Sequence, residues 1–592
     1  MDEILIKYKR DDGGWGVAPY DPNFTVNGGN QQAVLSWSLS DLVVDGKKIC
    51  TVAGIVVRRK TTGYPKNEND GTLIVNSTDL QGTYTDTGLT NGTTYYYRAF
   101  PYSDHNVYGR DAYHAKGSAT PSEATILTVR FCAGSVAIGE TITARKGATE
   151  VTAVVGSDGT AALALNATGT WEVLGEKIDV DTLGSVITLK ANLFAYHYSE
   201  NDSSPASATY PAGYDNSDFT DPFYVNLTSG APHYGDWDPA DDDLSWLFPK
   251  SCMVKYDGTV DYYLDEDDET KKADGTASDV ASAAYAGNAM MEWAQNGRHI
   301  YWKFIPDQDG KGFTFVVGNV QVLDLKPWNH YDCNDDVNSH FYTPKYFGSS
   351  DGTRLRSISG GSNYVNNTRN AEVSLARANN LTSDVIWDTE VYSDWVLIAN
   401  LCCLISKSMN TQDKFGYGHV HSSNTSAIGQ GTMNGKGMFF GKSDQTSGVK
   451  VFGMENIWGN LLRAIRGLVA VNCTVKAKLT HGTADGSTAA DYNFDGTNYL
   501  TAGSYPSQTR GQISHMNVTE KTIVPTAVSG SETTFYCDYA WLYASGTYYA
   551  VVGGGWNVAA EAGGWICALS GAASYTSASS GAALSLKPLA GA

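Results

Sequence analysis

The chain has 592 residues, 42% of them hydrophobic and 18% charged, and carries a formal net charge of −21. That composition supplies cores for three or four domains of about 100–200 residues each, and it excludes a disordered or low-complexity chain. The negative charge argues against nucleic acid or an anionic membrane surface as a partner, because both would be repelled. Gly 62 and Tyr 36 against Pro 17 predict short strands joined by tight turns. The expected class is therefore mainly β and multidomain.

The first residues, MDEILIKYKRDDGGWG, contain no apolar segment of signal-peptide type. No run of 18 apolar residues occurs anywhere. The expectation is synthesis in a reducing cytoplasm, without membrane insertion, and, for action outside a cell, release by lysis or as part of a particle. Nine cysteines, including Cys132, Cys402, Cys403, Cys537 and Cys567, show neither CxxC nor zinc-finger spacing. They are expected to be buried and reduced.

Residues 24–121 read as a β-sandwich. In AVLSWSL, Leu35, Trp37 and Leu39 alternate with polar positions, the period-2 signature of a half-buried strand. CTVAGIVVRRKT predicts a second strand and YTDTGLTNGTTYYYRAFPYS a third with its turn. The turn Leu89-Thr90-Asn91-Gly92, followed by Tyr95, Tyr97 and Ala99, resembles the E–F corner of fibronectin type III domains. In that family a tyrosine here bonds back across the corner. Such domains are usually spacers or docking modules, so function does not follow from the resemblance.

Residues 122–193 read as a second, small sandwich of five short strands separated by Gly, Asp and Asn turns, a spacer without a His, Asp or Glu cluster. From residue 194 to 592 Trp and acidic residues become denser and turns lengthen. Helices are predicted over ASDVASAAYAGNAMMEWAQN (277–296), from its Ala and Met content, and over DTEVYSDWVLIANLCCLISKS (388–408). In the second, Val391, Trp395, Ile398, Cys402 and Ile405 recur at helical steps. This remainder is expected to be an irregular α+β domain.

Three phrases in it carry a resemblance. FGMENIWGNLLRAIRGL (452–468) is similar to the Gly-Asn-Val-Trp-Glu-Trp segment of the formylglycine-generating-enzyme branch of the C-type lectin fold. YYAVVGGGW (548–556) resembles that branch's penultimate strand, and SSGAALSL (579–586) sits where the family closes with its last strand. With the two sandwiches, the chain resembles bacteriophage tail fibres or receptor-binding proteins with a C-terminal lectin-fold head, and more narrowly the variable proteins of diversity-generating retroelements. The resemblance implies a virion protein, commonly a homotrimer. Its N-terminal segment, residues 1–23, would attach it to other tail or baseplate proteins, and its head would bind a bacterial surface protein or glycan.

The residues themselves support a binding surface at the C-terminal end. Gly553-Gly554-Gly555 permits close backbone approach, and Trp556, Trp565, Ile566 and Leu569 are expected to anchor the core. The small residues between these anchors then lie on surface connections. In SYTSAS an extended backbone would aim Tyr575, Ser577 and Ser579 the same way. A surface of Tyr, Ser, Gly and Asn binds as antibody loops do, with rigid aromatics and adaptable small groups. The candidate ligand-binding residues are Trp541, Tyr543, Tyr548, Asn557, Val558, Ala560, Glu561, Ser570, Gly571, Tyr575, Ser577 and Ser579. The retroelement resemblance implies adenine-directed exchange of Asn codons, with which Asn557, Val558, Ala560, Ser570, Gly571, Tyr575, Ser577 and Ser579 are compatible. The plain alternative is a loop without a ligand role.

No catalytic reading stands out, and no cofactor or metal is implied. The family's cysteine pair is missing after the glycine strand, where Asn557 to Ala562 stand instead, and Cys567 is alone. DPADDD (238–243) and DEDDET (265–270) read as solvated acidic loops without the EF-hand pattern. His419 and His421 form an HxH pair without a third ligand. The resemblance thus implies an adhesin. The alternatives are a tailspike that degrades surface polysaccharide through two converging carboxylates, and a structural tail subunit.

Overall fold

The computed structural model describes residues 7–9, 15–17, 23–44, 47–109, 115–121, 123–294, 298–332, 336–382, 385–480, 499–558 and 561–588. The chain is mainly β and multidomain. Of the segment 1–23, the strands Lys7–Lys9 and Trp15–Val17 pair antiparallel. Next come two facing sheets. One has three strands (Asn23–Gly29, Gln32–Ser38, Gln81–Thr87) and the other four (Val52–Lys60, Thr72–Ser77, Tyr95–Ser103, Lys116–Ala119). Leu35, Trp37, Val57 and Tyr97 fill the space between them. The corner closes as the sequence predicts: the Thr90 N–H donates to the Tyr95 hydroxyl at 3.1 Å.

The second sandwich has seven strands rather than five. The stretch 150–166 breaks at the Gly156–Gly159 turn into Thr149–Val154 and Thr160–Leu165, and Glu176–Val180 adds a hairpin partner to Gly169–Val173. Its core does not stop at residue 193. Tyr214, Tyr301, Val316 and Leu325 pack with Leu127, Leu163 and Trp171 in one cluster, so this unit is fused to the head rather than strung before it.

The head contains a six-stranded and an eight-stranded sheet. The predicted helix over 277–296 is absent. Gly287–Trp293 is instead a strand buried at every position, paired on one side with Lys250–Lys255 and on the other with Phe341–Pro344. An apolar run flanked by two strands buries both faces, and that tertiary pairing overrides helix propensity. A Cβ on Gly287 would stand 2.1 Å from the Val254 carbonyl oxygen. The helix predicted over 388–408 is present as Tyr392–Ser406, buried all round rather than on one face. Among the described residues it is joined by Arg369–Arg377 and Thr411–Phe415. No helix among them is long and apolar enough to cross a membrane.

A buried ionic frame ties these parts together. Glu390 forks onto Arg463 (2.8 and 2.7 Å), and Asp388 takes both Arg377 (2.8 Å) and Arg466. Asp394 holds Lys587 of the last strand at 2.9 Å and the Asn329 side chain at 2.9 Å. All of these groups are buried. Arg463→Ala is expected to lower the unfolding free energy by about 3–5 kcal/mol, the cost of a buried unpaired carboxylate, read from a denaturant titration. A loss below about 1 kcal/mol would remove the pair from the frame.

Candidate functional site

The eight-stranded sheet of the head places the predicted residues. Thr547–Gly553 and Gly563–Gly571 run antiparallel at its centre, and Tyr539–Leu542 pairs parallel with the second of them. The triple glycine makes the close approach expected of it. Gly553 and Gly554 have φ of +85° and +81°, and Cβ atoms there would sit 2.7 Å from the Ile457 oxygen and from Ala562 Cα. Trp565, Ile566 and Leu569 are core residues, with Trp565 edge-on to Tyr536 at 5.6 Å. Trp556 is not. It is half-exposed, and its carbonyl accepts from the Asn424 side chain at 3.0 Å, because the turn after Gly555 swings it outward.

The predicted residues fall into three neighbouring groups. At one end of the central strands, Tyr543 and Tyr548 meet edge to face at 5.5 Å. Ser570 and Gly571 close the Gly563–Gly571 strand there as half-buried strand residues rather than connection residues. Tyr575, 58% exposed, lies over Gly571, where a Cβ would come within 3.2 Å of its ring. At the other end Asn557 is exposed in the turn after the glycines and Val558 is half-buried. Ser579 passes Gly555 at a distance of 3.5 Å from a Cβ built there. The third group is Trp541, on an alternating row with Tyr539 and Tyr543, its ring 4.4 Å from that of Tyr539. Arg510 stands opposite Trp541 in the sheet register. Burial pushes the carboxyl of nearby Glu561 up, with the Arg510 charge opposing that shift. Ala560 lies outside the described residues.

The connection from 572 to 579 runs back from one end of the strands to the other. It is not extended as SYTSAS suggests. It folds through two turns, one closed by the Tyr575 N–H on the Ala572 oxygen at 2.8 Å. The Ser577 and Ser579 hydroxyls bond to each other at 2.9 Å, so they share an orientation that Tyr575 does not. Backbone bonds from Asn366 to the Ser577 oxygen (3.0 Å) and from Arg369 to the Ala573 oxygen (3.0 Å) strap the connection down. Beside it opens a cleft of about 390 Å³, lined by Thr368, Asn370, Tyr548 and Ala572–Ser574.

Sequence reasoning missed Tyr539, Arg510, Thr368 and Asn370. The period-2 pattern in DYAWLY contains the signal for Tyr539, since Tyr539, Trp541 and Tyr543 alternate. The other three reach the surface only through tertiary pairing.

The other candidates find separate partners. His419 faces the Thr446 and Ser426 carbonyl oxygens (2.8 and 3.0 Å), whereas His421 faces the Ser423 hydroxyl. Within DEDDET, Glu269 is buried rather than solvated, and Lys345 binds it at 2.9 Å.

No protein-family model matches the chain, and no curated protein matches it. Among solved structures, 75% of it aligns with 82% of the Major Tropism Determinant U1 variant, at 12% identity and a TM-score of 0.20. Over 28% of its length it aligns with 68% of the FN1–FN3 domains of chicken CNTN1, at 12% identity and a TM-score of 0.14. A myokine structure aligns over 99% of its own length with 18% of this chain, at 17% identity and a TM-score of 0.11. TM-scores this low do not establish a shared fold.

Behind the 390 Å³ cleft, burial pushes the Glu372 carboxyl up to about 8, against the pull of Arg369 at 2.8 Å. A carboxyl raised above its ordinary 4.5 stabilises the fold fully below that value and loses the contribution as pH climbs through about 8. Glu372→Gln should therefore flatten the fall in thermal midpoint between about pH 5 and about pH 9. An unchanged slope would place the titration elsewhere.

Proposed function

We propose that this chain is a receptor-binding adhesin of a phage tail fibre, and that its C-terminal head has the C-type lectin fold. The head binds a bacterial surface receptor, protein or glycan, through the aromatic row and the 572–579 connection. The N-terminal segment docks the protein to other tail or baseplate components of the virion, and the fibre is a homotrimer. What carries the reading is one observation: Tyr539, Trp541, Tyr543 and Tyr548 stay half-buried and Tyr575 exposed directly over a buried sheet. Large rings left in water on a rigid base mark an interaction site rather than a core. The strapped, small-residue connection beside them presents side chains that can be exchanged without disturbing the strands beneath. Modest affinity per head suffices when several fibres engage one cell.

Binding rather than catalysis is the proposed role. Burial pushes the Cys567 thiol, the one cysteine near the family's reactive position, up to about 12, which keeps it an unreactive thiol.

Trp541→Ala and Tyr575→Ala are each expected to weaken binding of the purified protein to the bacterial cells it decorates by about tenfold or more, as interface aromatics do. Thermal midpoints should stay unchanged and no saccharide should be released. Undiminished cell binding in both variants would contradict the reading, as would release of soluble saccharide.

A further inference from the structure

A second cleft lies away from the surface just described, between the second sandwich and the head. It is a cleft of about 1310 Å³, beyond the roughly 300–1,000 Å³ of single small-molecule pockets. Three walls meet there. Strand Val186–Lys190 of the sandwich brings Lys190, which bridges to Asp243 at 2.7 Å. The acidic loops bring Asp242, Glu266 and Asp267, and a third loop carries Gly435 to Met438. The half-buried rings of Tyr234 and Phe440 line it, with the Lys436 ammonium 5.3 Å from the centre of the Phe440 ring.

The walls are held from beneath. Buried Glu269 follows directly on the acidic loop and accepts the Gly435 N–H at 3.1 Å. The same carboxylate takes the ammonium groups of Lys345 and Lys450. One buried carboxylate therefore fixes two of the three walls, and the exposed Lys190–Asp243 pair reaches from the third. Gly437 faces the acidic loop, where a Cβ would stand in ordinary van der Waals contact, 3.8 Å from Asp267 Oδ1.

The lining mixes five carboxylates with four cationic groups. Five carboxylates against four cations nearly cancel, so neither a polyanion nor a polycation gains much net attraction there. An uncharged chain rich in hydroxyls suits it better. Carboxylates accept from vicinal hydroxyls, ammonium groups and the Tyr234 hydroxyl donate to ring and hydroxyl oxygens, and the Tyr234 ring packs against sugar C–H groups. We propose that this cleft is a second ligand site, separate from the aromatic row, which binds a neutral oligosaccharide several pyranose rings long.

The test uses the full chain with four probes, maltohexaose, cellohexaose, mannohexaose and chitohexaose, each titrated calorimetrically to millimolar concentration. At least one is expected to bind. Glu266→Ala/Asp267→Ala, which removes two exposed acceptors, should weaken that binding by about tenfold, equivalent to 1.4 kcal/mol. Ala240→Trp, which sets an indole into the cleft, should do the same, with thermal midpoints unchanged in both variants. Failure of all four probes to bind overturns the proposal, and so does binding that persists in both variants. Displacement of the hexaose by decalysine, with a steep salt dependence, overturns it in favour of a cationic peptide.

Discussion

Three carboxylates within seven residues, Asp388, Glu390 and Asp394, hold the head together. They sit where the strand Val385–Thr389 passes into the buried helix Tyr392–Ser406, and each reaches a cation from a different part of the chain. Arg463 and Arg466 come from the eight-stranded sheet, Arg377 from the helix Arg369–Arg377, and Lys587 from the last strand. Buried ion pairs contribute little net stability, because desolvation offsets most of the attraction. Their effect is on uniqueness: a packing that leaves any one partner behind strands a charge in the core. Lys587 pins the last strand, between Phe341–Pro344 and Val385–Thr389, to an aspartate 193 residues earlier in the chain.

That frame explains how the preceding connection can be made of Ala, Ser and Gly. Residues 572–579 are suspended between two anchored strands, Gly563–Gly571 and Ser580–Ala582, and are strapped by backbone rather than side-chain bonds to Asn366 and Arg369. Their side chains therefore owe little to the fold. The aromatics around them rest on a sheet whose opposite face is the main core, with Ala540, Leu542, Cys567 and Leu569 pointing inward. Rigidity beneath and exchangeability above are two consequences of one arrangement.

Much of the fold was legible where the signal is local. The alternation around Trp37, the Tyr95 corner, the apolar spacing over 388–408 and the close glycines all depend on neighbours within a few residues. Failures came where distant pairing decides. Gly287–Trp293 has helix-forming residues but lies between two strands. Glu269 sits in a run that reads as solvated, yet it is drawn inward by lysines 76 and 181 residues away. Trp556 follows a core strand but leaves it at a turn. At the candidate surface the aromatic row was half visible, since its period-2 pattern was there to read. Arg510, Thr368 and Asn370 join it only through sheet register and helix docking.

In the proposed function the exposed residues of the head carry binding while the buried frame carries folding. The most direct measurement is thermal unfolding and cell binding on one variant carrying Asn557→Ala, Ser570→Ala, Tyr575→Ala, Ser577→Ala and Ser579→Ala. The account predicts a midpoint within about 4 °C of the parent together with lost or redirected binding. A fall of more than about 10 °C, or binding that survives intact, would contradict it.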